Sequence, residues 1–95
     1  MIILVINCGS SSIKYTLFDA DHRREMASGL AEKIGKPGSV LTHKYAETGG
    51  GEKKISIENN LANHQEGLQQ ILALLLDPRN GVVGNRSEIT AIGHR

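Results

Sequence analysis

The residues directly after Met1 form a run of aliphatic side chains, Ile2 to Ile6, with no polar interruption. A strand that is apolar at every position is typical of one that is covered on both faces. The run is far too short for a membrane-spanning helix, which needs ~20 apolar residues. The sequence therefore predicts a buried strand in the middle of a sheet.

The next segments predict further strands. Residues 13–18 alternate between apolar and polar side chains, which indicates a second strand with one buried face. Residues 25–33 form a third extended stretch, so the chain should open with an antiparallel meander of three strands. Residues 40–45 and 53–58 could pair across the glycines at 49–51, and we expect them to form an inserted hairpin near the surface.

A helix and a last strand follow. Asn63 and Glu66 have the spacing of a capping pair, and the helix should end near Asp77 and Pro78 after about four turns. Its apolar stripe consists of Leu68, Ile71, Leu72 and Leu75. Residues 89–92 predict a short buried strand. Because this order is the opening of an α/β domain whose later crossovers are missing, we expect the chain to be the N-terminal part of a longer protein.

The composition narrows the function classes. The chain has 95 residues, enough for one small domain, and 11 Lys and Arg against 10 Asp and Glu give a net charge of +1. Aromatic residues make up only 3%, so the core should be aliphatic and no stacking surface for bases is expected. Nucleic-acid and membrane partners are therefore disfavoured. The single Cys8 excludes an internal disulfide, favours a cytoplasmic location, and should be a small packed side chain.

The candidate site is the turn between the first two strands. It contains Gly9, Ser10, Ser11 and Ser12, with Lys14 just beyond. Backbone N–H groups, three hydroxyls and an ammonium could hold phosphate oxygens. The Walker pattern is absent, and a strand follows, so no helix N-terminus follows the turn directly. From these residues alone, a plain serine-rich hairpin turn is the alternative.

Other polar residues give weaker signals. The histidines show no metal-ligand spacing, and each is expected to be a surface or turn side chain: His22, His43, His64 and His94. Arg95 follows Gly93 and His94 at the end of the last predicted strand, where active-site groups of α/β folds gather. On its own it could equally be a frayed terminus.

Two segments resemble the signatures of one enzyme family. Residues 3–14, ILVINCGSSSIK, are similar to the N-terminal signature of acetate kinases, and residues 91–95, AIGHR, resemble the start of their second signature. The resemblance implies the acetate and sugar kinase, Hsp70 and actin superfamily, whose domains have a ribonuclease H-like (actin-like ATPase) α/β fold. Residues 1–95 would then be the N-terminal part of the first of two domains, with the remainder absent, and the whole enzyme would be a homodimer.

The same resemblance implies the chemistry. The family transfers the γ-phosphoryl group of ATP to acetate, giving acetyl phosphate and ADP, and requires Mg²⁺. By position, Asn7 would help hold Mg²⁺, Gly9 to Ser12 would line the phosphate loop, and Lys14 would contact the nucleotide phosphates. Arg95 would be catalytic, facing the acetate carboxylate and the transferring phosphoryl group. An amide oxygen suits magnesium, and the arginine fork can bind a carboxylate at two points.

The sequence leaves two alternatives to an acetate kinase open. A propionate kinase would have nearly the same phosphate loop, whereas butyrate kinases usually have proline in place of Cys8. From a different class, the chain could be a noncatalytic module that binds a phosphate or a partner strand. We expect the 95 residues alone to be inactive, because they supply part of one wall of the cleft. We also expect them to expose an apolar patch, and therefore to self-associate or be marginally stable.

Overall fold

The computed structural model describes residues 1–46, 51–58, 60–76 and 89–94. These residues form six strands and one helix. In chain order the elements are β1 (Ile2–Cys8), β2 (Ile13–Asp19), β3 (Arg24–Glu32), β4 (Val40–Ala46), β5 (Glu52–Glu58), α1 (His64–Leu76) and β6 (Ile89–His94). Among these residues, no helix is long and apolar enough to cross a membrane.

All six strands belong to one mixed sheet in the order β5-β4-β3-β2-β1-β6. Strands β1 to β5 are antiparallel to their neighbours, and β6 pairs with β1 in parallel. The predicted α/β class is confirmed, and β1 lies inside the sheet as expected. The predicted antiparallel pairing of β4 with β5 is confirmed, but the two strands continue the meander, so the antiparallel part has five strands rather than three.

The core lies on one face of this sheet. The alternation in β2 buries Ile13, Tyr15 and Leu17, and the register places Leu4 of β1 directly opposite Leu17. Helix α1 covers this face with Ile71, Leu74 and Leu75, which are buried, whereas Leu68 and Leu72 of the predicted stripe are half-buried. On the other face Ile3 and Val5 are only half-buried and Phe18 is 41% exposed. The described residues thus cover β1 fully on one face, not on both.

The start of α1 is capped as predicted. Asn63 Oδ1 accepts a hydrogen bond from the Glu66 backbone N–H at 2.9 Å, and Glu66 Oε2 accepts one from the Ala62 N–H at 2.8 Å. The two side chains therefore satisfy donors that an uncapped helix would leave exposed. The predicted helix end at Asp77 and Pro78 lies outside the described residues.

An aromatic cluster interrupts the otherwise aliphatic core. His43 is fully buried and stacks between Tyr15 and Tyr45, with ring centroids 5.9 and 5.6 Å away. The Tyr15 hydroxyl and His43 Nδ1 are hydrogen-bonded at 2.5 Å. The expectations of a purely aliphatic core and of a surface His43 are both wrong. Position 43 faces inward because it lies in register with Gly29, which in turn lies in register with Tyr15.

The buried Tyr15 predicts a loss of stability at alkaline pH. Desolvation raises the pKa of its hydroxyl well above the ordinary value of 10.0, so the folded chain keeps the proton where the unfolded chain loses it. Below about pH 10 this group leaves the free energy of unfolding unchanged. Above that pH it lowers the free energy of unfolding by about 1.4 kcal/mol per pH unit. Urea midpoints of Tyr15→Phe should fall less steeply than those of the unaltered chain between about pH 9 and pH 11. If the urea midpoints of the two chains fell equally with pH, the raised pKa of Tyr15 would be contradicted.

Candidate active site

The turn between β1 and β2 closes tightly. The Gly9 N–H donates a hydrogen bond to the Ser12 carbonyl at 2.9 Å. A Cβ atom added at Gly9 would lie 2.7 Å from Ser12 Oγ, so a larger residue would displace that hydroxyl. The turn is exposed at Gly9 and Ser10 and half-buried at Ser11 and Ser12. Glycine at position 9 is thus what lets the serine hydroxyl fold back over the turn.

Three carbonyl groups of this turn, those of Gly9, Ser11 and Ser12, accept hydrogen bonds from the protein. The Ser11 carbonyl accepts from the Ile34 N–H at 2.9 Å, and the Gly9 carbonyl accepts from His64 Nε2 at 2.7 Å. Within the described residues, the backbone N–H groups of Ser10 to Ser12 donate to no protein acceptor. The turn therefore has backbone donors available to a ligand while three of its four carbonyls are already bonded, which suits an anion.

Asn7 and Lys14 flank the turn. They lie directly opposite each other in the β1–β2 register, so their side chains lie on the same face of the sheet. Both are exposed, and Lys14 forms no ion pair with the described residues. The structure thus brings together the predicted amide, serine turn and ammonium. Arg95 lies outside the described residues.

His64 was not predicted to take part in the site. It is the first residue of α1, and its hydrogen bond to Gly9 spans 55 positions of the chain. Although β2 follows the turn, as expected, the start of this later helix also contacts it. The only signal in the sequence was the position of His64 directly after the capping Asn63, which places it at a helix start without showing what that start contacts.

Two other expectations about single residues can be compared with the structure. Cys8 is an exposed free cysteine and not a packed side chain, because β1 continues past Ile6, its last buried residue. His22 is an exposed turn residue, as predicted, and its Nδ1 lies 2.7 Å from Asp19 Oδ2. The side chain of His94 lies outside the described part of the structure.

Sequence comparison identifies the family. A profile described as the acetokinase family matches residues 2–95. The chain belongs to the acetokinase family. The resemblance drawn from residues 3–14 and 91–95 is therefore confirmed.

Relatives of this acetokinase chain show how much of the family it spans. It is 47% identical to an acetate kinase of Nitratidesulfovibrio vulgaris over 95 residues, which are 100% of the chain and 24% of that relative. The crystal structure of Porphyromonas gingivalis acetate kinase matches 99% of the chain, with a TM-score of 0.87 and 37% identity over 23% of that protein. A propionate kinase from Francisella tularensis matches 99%, with a TM-score of 0.76 and 26% identity over 22%. The chain spans about a quarter of these relatives' length.

The donor set of this acetokinase chain fits a magnesium ion only in part. The exposed Asn7 oxygen is a hard neutral ligand of the kind that Mg²⁺ accepts. The described residues contain no group of three or more His, Cys, Asp or Glu side chains that could hold a metal. Such a set suits an ion that arrives on phosphate oxygens and keeps several of its waters, rather than a resident metal in a protein cage.

Proposed function

We propose that this chain forms the phosphate-binding wall of an acetate kinase, which moves the γ-phosphoryl group of ATP to acetate and gives acetyl phosphate and ADP. The observation that carries the proposal is the serine turn, whose Ser10 to Ser12 backbone N–H groups have no acceptor among the described residues and which is flanked by Asn7 and Lys14. Family membership and the relatives named acetate kinase support it. The homodimeric state and cytoplasmic location expected of such an enzyme belong to the same proposal.

The roles of the residues follow from the charge of the reactants. An acetate oxygen attacks the γ-phosphorus, and the bond from that phosphorus to the β,γ-bridging oxygen breaks, which leaves ADP. Acetate is already an anion, so no general base is needed. The activation barrier instead comes from bringing two anions, acetate and the γ-phosphoryl group, into line. The Ser10 to Ser12 donors and Lys14 hold the phosphates, and Arg95 orients the acetate and the transferring group.

Magnesium enters this proposal with the nucleotide. The ion supplies positive charge that neutralises the phosphate oxygens. Asn7 is the residue of this chain that would contact it, through its side-chain oxygen or through a bound water. Lys14 lies opposite Asn7 on the neighbouring strand, and its positive charge would neutralise the same phosphates.

The acceptor is proposed to be acetate rather than propionate. The acetate kinase structure matches the chain with higher identity and TM-score than the propionate kinase structure does. The test uses the full-length enzyme, by which we mean a protein of the relatives' length that carries residues 1–95 of this sequence. Its kcat/KM should be higher for acetate than for propionate, and the reverse order would favour a propionate kinase.

Lys14→Ala in the full-length enzyme is expected to lower kcat/KM for ATP by about tenfold to a hundredfold. The change removes one charge-assisted hydrogen bond to phosphate, worth roughly 1.5 to 3 kcal/mol. Acetyl phosphate formation, followed by trapping the product with hydroxylamine, measures the effect. The matched control is Lys54→Ala, an exposed lysine on β5, three strands away in the sheet. Equal rates for the two variants would remove Lys14 from the site.

A further inference from the structure

The contact between His64 and the turn is a long-range hydrogen bond made by a side chain. His64 Nε2 lies 2.7 Å from the Gly9 carbonyl oxygen. A carbonyl oxygen can only accept, so Nε2 carries the proton and donates it. Two further turn carbonyls, those of Ser11 and Ser12, accept from backbone N–H groups, which no substitution other than proline removes. Among the described contacts, His64 is the side-chain anchor of the turn.

The hydrogen bond from His64 to Gly9 also fixes the direction of the Ser10 N–H. The Gly9 carbonyl and the Ser10 N–H belong to one planar trans peptide unit, in which the two groups point in opposite directions. Holding the carbonyl toward His64 therefore turns the Ser10 N–H away from α1. Ser10 is exposed and its N–H has no acceptor among the described residues, so this donor is available to a ligand. Without the hydrogen bond, this peptide unit would be free to rotate, because Gly9 tolerates a wide range of backbone angles.

The anchor itself is held in place. Asn63 and Glu66 cap the helix directly beside His64, and the Gly67 N–H donates to the Asn63 carbonyl at 3.1 Å. One turn further, Gly67 is buried so close to β2 that an added Cβ would lie 3.1 Å from Ile13 Cδ1. Ile13 is the first residue after the turn. The helix start and the turn are thus fixed on the same part of the core.

We infer that His64 is a positioning residue, which orients the Gly9–Ser10 peptide unit so that the Ser10 N–H donates to a phosphate group of the nucleotide. This inference rests on the proposed function and adds a residue that lies in no part of the signatures at 3–14 and 91–95. His64 itself touches no reacting atom. Its contribution is that the donor is already oriented before the nucleotide binds.

The test compares His64→Leu with His64→Gln in the full-length enzyme. Leucine removes the donor, whereas the glutamine amide nitrogen can lie near the place of Nε2 and donate to Gly9. We expect His64→Leu to weaken ADP binding, measured by titration calorimetry, by about fivefold to tenfold, the usual worth of one hydrogen bond. The KM for acetate should stay unchanged, and His64→Gln should restore most of the ADP affinity. His22→Leu is the control, since His22 is exposed and, among the described residues, bonds only to Asp19.

Several results would overturn the inference. One is an unchanged ADP affinity in His64→Leu. Another is an equal loss in the leucine and glutamine variants, together with lower melting temperatures and a raised KM for acetate, since a merely structural residue would give that pattern. If His64→Leu does not fold, a glutamine variant with tenfold weaker ADP binding at an unchanged melting temperature would also contradict it. An unaltered enzyme that binds ADP but forms no acetyl phosphate would instead contradict the proposed function.

Discussion

Gly29→Ala is expected to prevent the meander from forming. A Cβ atom at position 29 would lie 2.3 Å from the Tyr15 hydroxyl, 2.4 Å from Tyr15 Cζ and 2.5 Å from the Thr42 carbonyl oxygen. Tyr15 is fully buried and hydrogen-bonded to His43, and Thr42 O belongs to the backbone of β4, so neither can move aside locally. Overpacking usually costs about 1 to 3 kcal/mol, and a clash with ring and backbone together should exceed that range.

Urea unfolding and soluble yield measure this effect, with Gly67→Ala as the matched control. Gly67 is also buried, but a Cβ there would meet the mobile Cδ1 atoms of Ile13 and Ile34 at 3.1 and 3.4 Å. In a helix, alanine is favoured over glycine by about 1 kcal/mol, which offsets a small adjustment of those side chains. Gly67→Ala should therefore stay within about 1 kcal/mol of the unaltered chain. A Gly29→Ala chain of ordinary stability would show that Tyr15 does not pack over β3.

Arg95→Lys should lower the turnover of the full-length enzyme by about a hundredfold to a thousandfold, the range seen when one preorganised donor to a transition state is lost. Lysine keeps the charge but has no planar fork, so it cannot bind a carboxylate or phosphoryl group at two points. The expectation is motivated by β6, whose last residue His94 pairs with Ile6, next to the turn. It stays a proposal, because Arg95 lies outside the described residues.

The measurement is kcat with saturating ATP and acetate, at an unchanged melting temperature. Arg24→Lys supplies the control, since Arg24 is exposed at the start of β3 and pairs with Asp19, at the end of β2 away from the turn. The control should keep its full rate. Normal turnover by Arg95→Lys would place that arginine outside the site.

The strands could be predicted because their local patterns were unambiguous. The alternation from Ile13 to Phe18 marks one buried face, and the Asn63–Glu66 spacing marks a helix start, so both elements were found from neighbours in the sequence. The continuation of the sheet through β4 was not predicted. A buried histidine at position 43 looks polar in the sequence, and only its pairing with Tyr15 makes it a core residue.

In the candidate site, too, the features that depend on neighbouring residues were predicted and those that depend on tertiary packing were not. The serine turn and Lys14 lie close together in the sequence, so the residues alone suggested a phosphate site, although a plain hairpin turn was the favoured interpretation until the resemblance was considered. The contact of His64 with Gly9 depends on how α1 packs across the sheet, which no spacing in the chain encodes. Cys8 was expected to pack because small apolar residues usually do, but it lies beyond the last buried residue of β1.

The order of the strands has a consequence for how the chain folds. From β1 to β5, each strand pairs with the one that precedes it, so these pairings need only short loops and can form early. The β1–β6 pairing joins strands that are separated in sequence by β2 to β5 and α1, so it must wait for β6 to leave the ribosome. The serine turn would thus exist before the strand that leads to Arg95. Until that strand arrives, the outer backbone of β1 stays open, and this is the interval in which a nascent chain is most exposed to wrong strand pairing.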